Sequence, residues 1–251
     1  MKKNLKRREF LKKASVAGAA AVGASTLAAP AIAAGHQEWI ICSAFGKAGL
    51  LGQAIQAFAD NVSSYSDKLN MKVYHAGELV PGLESLDAVR SGAAQASYGA
   101  PYYWTNLSDA IEFVATCPFG MNAMEQNAWC YYGGGIEEAD KIYNALGLKF
   151  LPMGNTGNQM GGWFNKEINT PADYKGLKMR MPGLGGRTIE KLGATPVLLA
   201  GPDVLPSLAS GAVDAAEWIC PAADLGAGLY QAAKFYYGPG WHKPSTLLDL
   251  S

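Results

Sequence analysis

Hydrophobic and polar positions change their spacing repeatedly along the first half of the chain, between a period of two and a period of 3.6 residues. In the stretch 51–66, for example, Ile55, Phe58 and Val62 lie on one face of a helix. The predicted elements are a strand over 38–45, a helix over 51–66, a strand over 68–79, a helix over 80–92 and a mostly buried strand over 93–104. Strands that alternate with helices predict a parallel sheet in an α/β fold.

A weak internal similarity between residues 84–104 and residues 203–223 indicates two lobes. In each stretch a predicted helix ends in Ser-Gly-Ala, and a small-residue strand then runs into aromatic residues. A spacing of this length is too long for a solenoid repeat and fits two similar α/β units. Ligands of open α/β sheets bind beyond the carboxyl ends of the strands. We therefore expect a ligand cleft between the lobes, bordered by Tyr102, Tyr103, Glu217 and Trp218.

The stretch 177–181, Leu-Lys-Met-Arg-Met, alternates like a strand and places Arg180 just before a Pro-Gly break. One interpretation is an arginine that faces water, as most strand arginines do. The other is a rigid planar guanidinium at a strand end that holds a carboxylate with two parallel hydrogen bonds.

Two further segments combine polar groups with an apolar or glycine-rich setting. Residues 154–165 carry Asn158 and Gln159 between glycines, which is typical of a loop or hairpin, or of an amide brought close to a ligand at a crossing between lobes. Glu217 lies beside Trp218 in an apolar run, so its charge requires a partner. That partner is either Lys178 or Arg180, or a hard cation bound by carboxylate and carbonyl oxygens.

The first 33 residues have the order of an export signal: a basic start with Arg7-Arg8, a small-residue apolar middle and an Ala-x-Ala site ending at Ala33. The paired arginines resemble a twin-arginine signal. An uncleaved anchor is the alternative, although the middle is short for a membrane span. These residues hold seven of the 21 Lys and Arg and one of the 21 Asp and Glu, which leaves 14 against 20 and a net charge of −6. That charge gives no reason to expect nucleic-acid binding.

No familiar catalytic or metal signature appears in the sequence. The four cysteines form no Cys-x-x-Cys pair, and we favour free thiols over a Cys117–Cys130 disulfide. His36, His75 and His242 lie far apart in sequence. The Gly-rich stretch 182–188 imitates a dinucleotide-binding turn, but Thr188 replaces its third glycine, so we interpret it as a turn into a helix.

Several motifs together resemble the solute receptors of tripartite ATP-independent periplasmic (TRAP) transporters, of the DctP-type superfamily. The similarity runs from about Trp39 to His242, and its strongest points are residues 117–135, 154–165, 174–186 and 214–221. The branch resembled, sometimes called the mannitol/chloroaromatic branch, binds α-keto and hydroxy acids. The resemblance implies a bilobal periplasmic-binding-protein fold, with two mixed sheets flanked by helices and a ligand cleft between them.

The resemblance also implies roles for single residues. Arg180 would be the carboxylate clamp, Tyr102 and Tyr103 would form a wall of the pocket, and Asn158 would belong to the substrate site. Gln159, the Glu217 side chain and the Trp218 carbonyl would hold Na⁺ or Ca²⁺ beside the ligand, without an organic cofactor. The expected partners are a small carboxylate, the membrane subunits of a TRAP transporter and a second copy in a homodimer.

The expected organisation is a signal over 1–33, a first lobe over 34–153, and a second lobe with crossing strands over 154–251. The sequence departs from the family in two ways. Relatives continue for about another hundred residues, so the second lobe is expected to be incomplete, and Lys243 stands where relatives often carry Glu. Two alternative functions stay open from sequence. One is a twin-arginine-exported enzyme, which a cofactor's absorption would reveal, and the other is a sensor subunit that binds the same ligand.

Overall fold

The computed structural model describes Gly35, residues 37–242 and residues 247–251. The predicted export signal over 1–33, His36 and Lys243 lie outside these residues. Within the described part, no helix is long and apolar enough to cross a membrane. The four cysteines are free thiols, of which Cys117 is exposed and Cys130 buried.

The first lobe is built on a mixed five-stranded sheet. Its strands are β1 (Gln37–Ser43), β2 (Leu69–Tyr74), β3 (Ala96–Gly99), β4 (Leu151–Asn155) and β10 (Leu247–Leu250). Their order across the sheet is β2-β1-β3-β10-β4. β1 pairs in parallel with both β2 and β3, whereas β10 runs antiparallel to both β3 and β4. This sheet holds the parallel unit predicted from the alternating pattern, with an antiparallel pair added at one side.

Five helices of the described chain cover the first sheet. They are α1 (Leu50–Tyr65), α2 (Ser85–Arg90), α3 (Ile111–Ala115), α4 (Ala123–Tyr132) and α5 (Gly135–Ala145). The amphipathic pattern of 51–66 is confirmed in α1, which buries Ile55 and Ala59. The Asn122 side chain caps α4 by accepting from the Glu125 N–H, and the Glu125 carboxylate accepts from the Asn122 N–H in return.

The second lobe has its own mixed five-stranded sheet. Its strands are β5 (Gly162–Phe164), β6 (Lys178–Arg180), β7 (Thr195–Val197), β8 (Ala215–Ala216) and β9 (Phe235–Tyr237), in the order β7-β6-β8-β5-β9. The helices are α6 (Gly183–Lys191), α7 (Gly201–Ala209) and α8 (Pro221–Ala227). Short 3₁₀ turns lie at Gly82–Glu84, Pro101–Trp104, Pro171–Tyr174 and Leu229–Gln231. The two mixed sheets flanked by helices confirm the expected fold class.

Separate hydrophobic cores hold the lobes together. The first lobe buries Ile41, Leu86 and Phe150 around its sheet, and the second buries Phe164, Met179 and Ile189. A further group around Val204 and Leu208 packs α7 against β8. Because each lobe has a core of its own, each can move as a unit relative to the other.

The chain passes between the lobes twice in the described residues. It leaves the first sheet after β4 and enters the second at β5, so residues 156–161 are a crossing and not a hairpin. It returns after β9 to form β10 between β3 and β4 of the first sheet. The predicted unit 154–251 therefore contains the second lobe together with a strand that lies inside the first sheet.

Two elements end at residues that break the local structure. The strand over 93–104 ends at Gly99, because Pro101 begins a 3₁₀ turn that continues to Trp104. Helix α8 begins at Pro221 and ends at Ala227, because the following Gly228 takes a positive φ of 73°.

Candidate functional site

Two parallel strand ends of the second lobe place the central residues of the site. Arg180 is the last residue of β6, and Glu217 directly follows the neighbouring β8. The Glu217 N–H donates to the Arg180 carbonyl at 3.0 Å, which fixes the two residues side by side. The carboxyl ends of these strands thus meet at one edge, as the pattern of 177–181 predicted.

The Arg180 guanidinium is buried, with 1 % of its surface exposed. Its Nη1 donates to the Glu217 carbonyl oxygen at 2.7 Å and to Glu217 Oε2 at 2.9 Å, and Nη2 donates to the Tyr103 hydroxyl at 3.2 Å. The Trp218 ring lies 5.0 Å from its central carbon, within cation–π range. Nε has no hydrogen-bond partner. The interpretation of Arg180 as an arginine that faces water is wrong, since its side chain is buried.

Electrostatics keep this guanidinium charged. Burial alone would lower the pKa of Arg180, but Tyr103 and Glu217 outweigh that effect and raise it. Burial also raises the pKa of the Tyr103 phenol, against the opposing effect of Arg180. The site therefore presents a permanent cation, one carboxylate and a neutral phenol.

His242, where the second crossing begins, contacts both Gln159 of the first crossing and Glu217. Its Nδ1 lies 3.0 Å from Gln159 Oε1 and 3.6 Å from Glu217 Oε1, and its side chain is fully buried. The Gln159 amide donates to Thr156 Oγ1 at 2.9 Å. Sequence analysis missed His242 and Thr156 as neighbours of the site, because 83 residues separate His242 from Gln159 and no spacing links them.

The first lobe supplies an aromatic wall. Tyr102 and Tyr103 lie in the 3₁₀ turn after β3, with ring centroids 5.1 Å apart. Tyr102 also stacks on the His242 ring at 5.8 Å, and Tyr103 contacts Phe45 at 6.0 Å. The predicted wall of two tyrosines thus faces the cluster of the second lobe.

A small cavity of about 10 Å³ lies between the lobes at this point. It is lined by Phe45, Leu51, Tyr102, Tyr103, Thr156, Gln159, Arg180, Trp218, Ile219 and Leu248. Beside it, a larger apolar groove of about 380 Å³ shares Phe45, Leu51, Trp218 and Ile219. Residues from both lobes line both spaces, as expected for a ligand site between domains.

A second buried carboxylate holds the segment that carries Trp218. Asp224 accepts from the Ile219 N–H at 2.9 Å, the Trp163 indole at 3.0 Å and the Tyr236 hydroxyl at 2.9 Å. Burial raises the pKa of Asp224, while these three donors lower it. Asp224 was not among the residues predicted from sequence, and only its position in the first turn of α8 could have indicated a capping role.

Most of the residues predicted for the substrate site converge here. Arg180, Gln159, Glu217, Trp218, Tyr102 and Tyr103 all contact one another or line the small cavity. Asn158 is exposed and does not line the cavity among the described residues. Of the two partners considered for Glu217, the ion pair forms with Arg180; Lys178 instead lies at an exposed position.

The donor set suits a hard cation. Gln159 Oε1 and Glu217 Oε1 both face the same nitrogen of His242, so an amide oxygen and a carboxylate oxygen converge. Glu217 Oε1 has no hydrogen-bond partner although it is buried. Oxygen ligands of this kind are those that Na⁺ and Ca²⁺ prefer. Among the described residues, no three His, Cys, Asp or Glu side chains form a cluster that could hold a metal ion, so this oxygen set contains a single carboxylate.

A buried strand-end arginine between two α/β lobes defines a receptor for a small anion. Residues 44–248 match the DctP model, bacterial extracellular solute-binding protein, family 7, and the chain belongs to this family. The family consists of solute receptors and not of enzymes.

Three relatives show how similar the chain is to known members. It is 42 % identical over 253 residues to the monocarboxylate 2-oxoacid-binding periplasmic protein of Nostoc sp. (strain PCC 7120), covering 98 % of this chain and 69 % of that protein. A TRAP periplasmic solute-binding protein from Pseudoalteromonas atlantica T6c, solved with sodium and pyruvate, is 40 % identical with a TM-score of 0.82. Another from Colwellia psychrerythraea, solved with calcium and pyruvate, is 40 % identical with a TM-score of 0.80.

The chain is shorter than the solved relatives. Each structural match covers 86 % of this chain and 66 % of the solved protein. A third solved relative, from Bordetella bronchiseptica RB50, is 33 % identical with a TM-score of 0.83, covering 86 % of this chain and 65 % of that one. It is described as a mixed-occupancy dimer with calcium and picolinate in one site and an apo second site.

Proposed function

We propose that this protein is the periplasmic receptor of a TRAP transporter and binds a small 2-oxo or 2-hydroxy monocarboxylate between its lobes. The observation that carries the proposal is the buried Arg180 guanidinium, which lines a cavity formed by both lobes. A guanidinium fixes a carboxylate in both energy and orientation. The names of the Nostoc, Pseudoalteromonas and Colwellia relatives, which mention 2-oxoacids or pyruvate, support the ligand class.

The chemistry of the cavity favours one carboxylate over two. Arg180 is the one cation among the residues lining the cavity, and it already faces Glu217. A second ligand carboxylate would find apolar walls, such as Phe45, Leu51 and Ile219, where an unpaired charge is unfavourable. The Tyr103 hydroxyl, beside Arg180, can donate to the keto or hydroxy oxygen of a 2-substituted acid.

A bridging cation belongs to the proposal. Gln159 Oε1, the Glu217 carboxylate and the Trp218 carbonyl are the proposed ligands, and Na⁺ or Ca²⁺ bound there would supply a positive charge beside the acid. The cation would also satisfy Glu217 when the acid takes its place on Arg180. No organic cofactor or catalytic role is proposed.

Calorimetry of the purified protein tests both parts. After chelation and dialysis into a choline buffer, pyruvate and lactate should bind weakly, and Na⁺ or Ca²⁺ should restore binding; succinate should not bind under either condition. In Glu217→Gln, adding the cation should increase the affinity for pyruvate only slightly. Because the cation effect is measured within each variant, a general loss of stability does not mimic it.

Two results would contradict this assignment. If the metal-stripped wild type binds pyruvate as tightly as the metal-loaded protein, the proposed role of the cation is wrong. If no 2-oxo or 2-hydroxy acid binds, the proposed ligand class is wrong. Native mass spectrometry of the purified protein would then identify the copurified ligand by its mass.

The proposed setting is the periplasm, with the membrane subunits of a TRAP transporter as partners. We further propose export through the twin-arginine route, on the basis of Arg7-Arg8 in the basic start of the chain. Replacing this pair by Lys-Lys should retain the precursor in the cytoplasm, and unchanged export would exclude that route. The dimeric Bordetella relative supports a homodimer, which analytical ultracentrifugation would test.

A further inference from the structure

Outside the cavity, one arginine connects the two lobes. Arg187 lies on α6 of the second lobe, and its Nη2 donates to Asp109 Oδ1 at 2.7 Å. Its Nε lies 3.1 Å from Glu112 Oε1. Asp109 and Glu112 belong to the first lobe, just before and within α3. One guanidinium therefore spans two carboxylates across the boundary between lobes.

Glu112 gives this contact more weight than a surface ion pair has. Glu112 is 1 % exposed, and its Oε2 has no hydrogen-bond partner. Burial raises the pKa of Glu112, and Arg187 acts in the opposite direction. Arg187 is the one cation that pairs with it among the described residues. Separation of the lobes would remove that cation from a carboxylate that is otherwise poorly satisfied.

Helix α6 links this contact to the site. Arg180 ends β6, and α6 begins three residues later at Gly183, which approaches Tyr102 of the first lobe. Arg187 follows one helical turn further on. The strand end that carries the carboxylate clamp therefore leads within three residues into the helix that carries the contact between the lobes.

We propose that Arg187 is a positioning residue that holds the lobes closed over the bound acid, and so sets affinity without touching the ligand. This rests on the proposed function. Exposed ion pairs are generally weak, and Arg187 itself is half exposed. However, both of its bonds join opposite lobes, so separating the lobes would break both. Their whole contribution therefore enters the equilibrium between open and closed forms.

Small-angle scattering and pyruvate binding kinetics test this role, with Arg187→Gln compared against Arg90→Gln. Arg90 pairs with Asp87 inside the first lobe, at 3.1 Å, so its replacement removes the same charge without touching the lobe boundary. Arg187→Gln should enlarge the unliganded radius of gyration. It should bind pyruvate about 5- to 10-fold more weakly, mainly through faster dissociation.

A second variant keeps the test independent of folding. Asp109→Asn removes one of the two bonds at an exposed position and should shift scattering and affinity in the same direction by a smaller amount. Unliganded Arg187→Gln with the scattering of wild type would overturn the proposal, whatever the binding results. If the scattering shifts while wild type binds no acid, the closing role stands and the proposed ligand class fails.

Discussion

At the scale of single residues, the site is a neutralised pair and not an exposed cation. The Arg180 charge is already matched by Glu217 at 2.9 Å, and the Glu217 charge by Arg180. An incoming carboxylate must therefore compete with Glu217 for the same guanidinium. A cation on Glu217 would lower that competition, which couples the two proposed ligands energetically.

Replacing Arg180 by Lys should separate charge from geometry. Lysine keeps the positive charge beside Glu217, so we expect the fold to persist, but it lacks the planar fork that grips a carboxylate. Pyruvate affinity should fall by about 2 kcal/mol or more, roughly 30-fold. Calorimetry on Arg180→Lys, with Arg90→Lys as the surface control, measures this. Equal affinities of wild type and Arg180→Lys would show that the fork plays no part.

Which residues of the site were predictable depends on how local their signal is. Arg180 and Glu217 each lie at a strand end beside a recognisable break, so the edge rule for α/β sheets brings them together. His242 reaches the site only because the chain returns to the first sheet after β9, a topology that no local pattern encodes. Asn158, in contrast, has the right composition around it but faces solvent, since a crossing segment has no period that fixes the orientation of its side chains.

At the scale of elements, α6 is set by a glycine against the opposite lobe. Gly183 has a φ of 53°, and a Cβ at this position would lie 2.8 Å from the Cβ of Tyr102. That distance is below any normal contact, and a Cβ cannot rotate away. The first turn of α6 can therefore approach the tyrosine turn only with glycine at this position.

Gly183→Ala should act mainly on closure. An alanine at this φ carries a strain of about 1 kcal/mol, whereas the clash with Tyr102 exists only when the lobes are together. We expect pyruvate affinity to fall about 10-fold. Gly77→Ala is the matched control, since Gly77 also has a positive φ, of 87°, but a Cβ there meets nothing within 4 Å. Similar binding losses in both variants would attribute the effect to backbone strain alone.

At the scale of the whole molecule, β10 places an acidic group inside the first lobe. Asp249 is fully buried between β3 and β4; it accepts from the Tyr143 hydroxyl at 2.7 Å, and its Oδ1 has no partner. Burial raises the pKa of Asp249 to about 7. The folded protein therefore binds this proton more tightly than the unfolded chain does.

This group should make stability fall as pH rises. Its favourable contribution is fully present below the unfolded pKa of about 4 and is lost as pH rises through about 7, a change of about 4 kcal/mol in the free energy of unfolding. Urea unfolding of Asp249→Asn between pH 4.5 and 7.5 should show a flatter dependence than wild type. Asp67→Asn, at an exposed position, serves as control. Parallel curves for wild type and Asp249→Asn would mean that Asp249 does not titrate in this range.

The two crossings of the chain also determine how a bound solute can influence the arrangement of the lobes. One crossing carries Gln159, and the other begins at His242, so both connections between the lobes contact the same buried cluster. A ligand bound at these residues would therefore contact both connections between the lobes. A membrane subunit that contacts both lobes would therefore respond to the angle between the lobes, without contacting the solute itself.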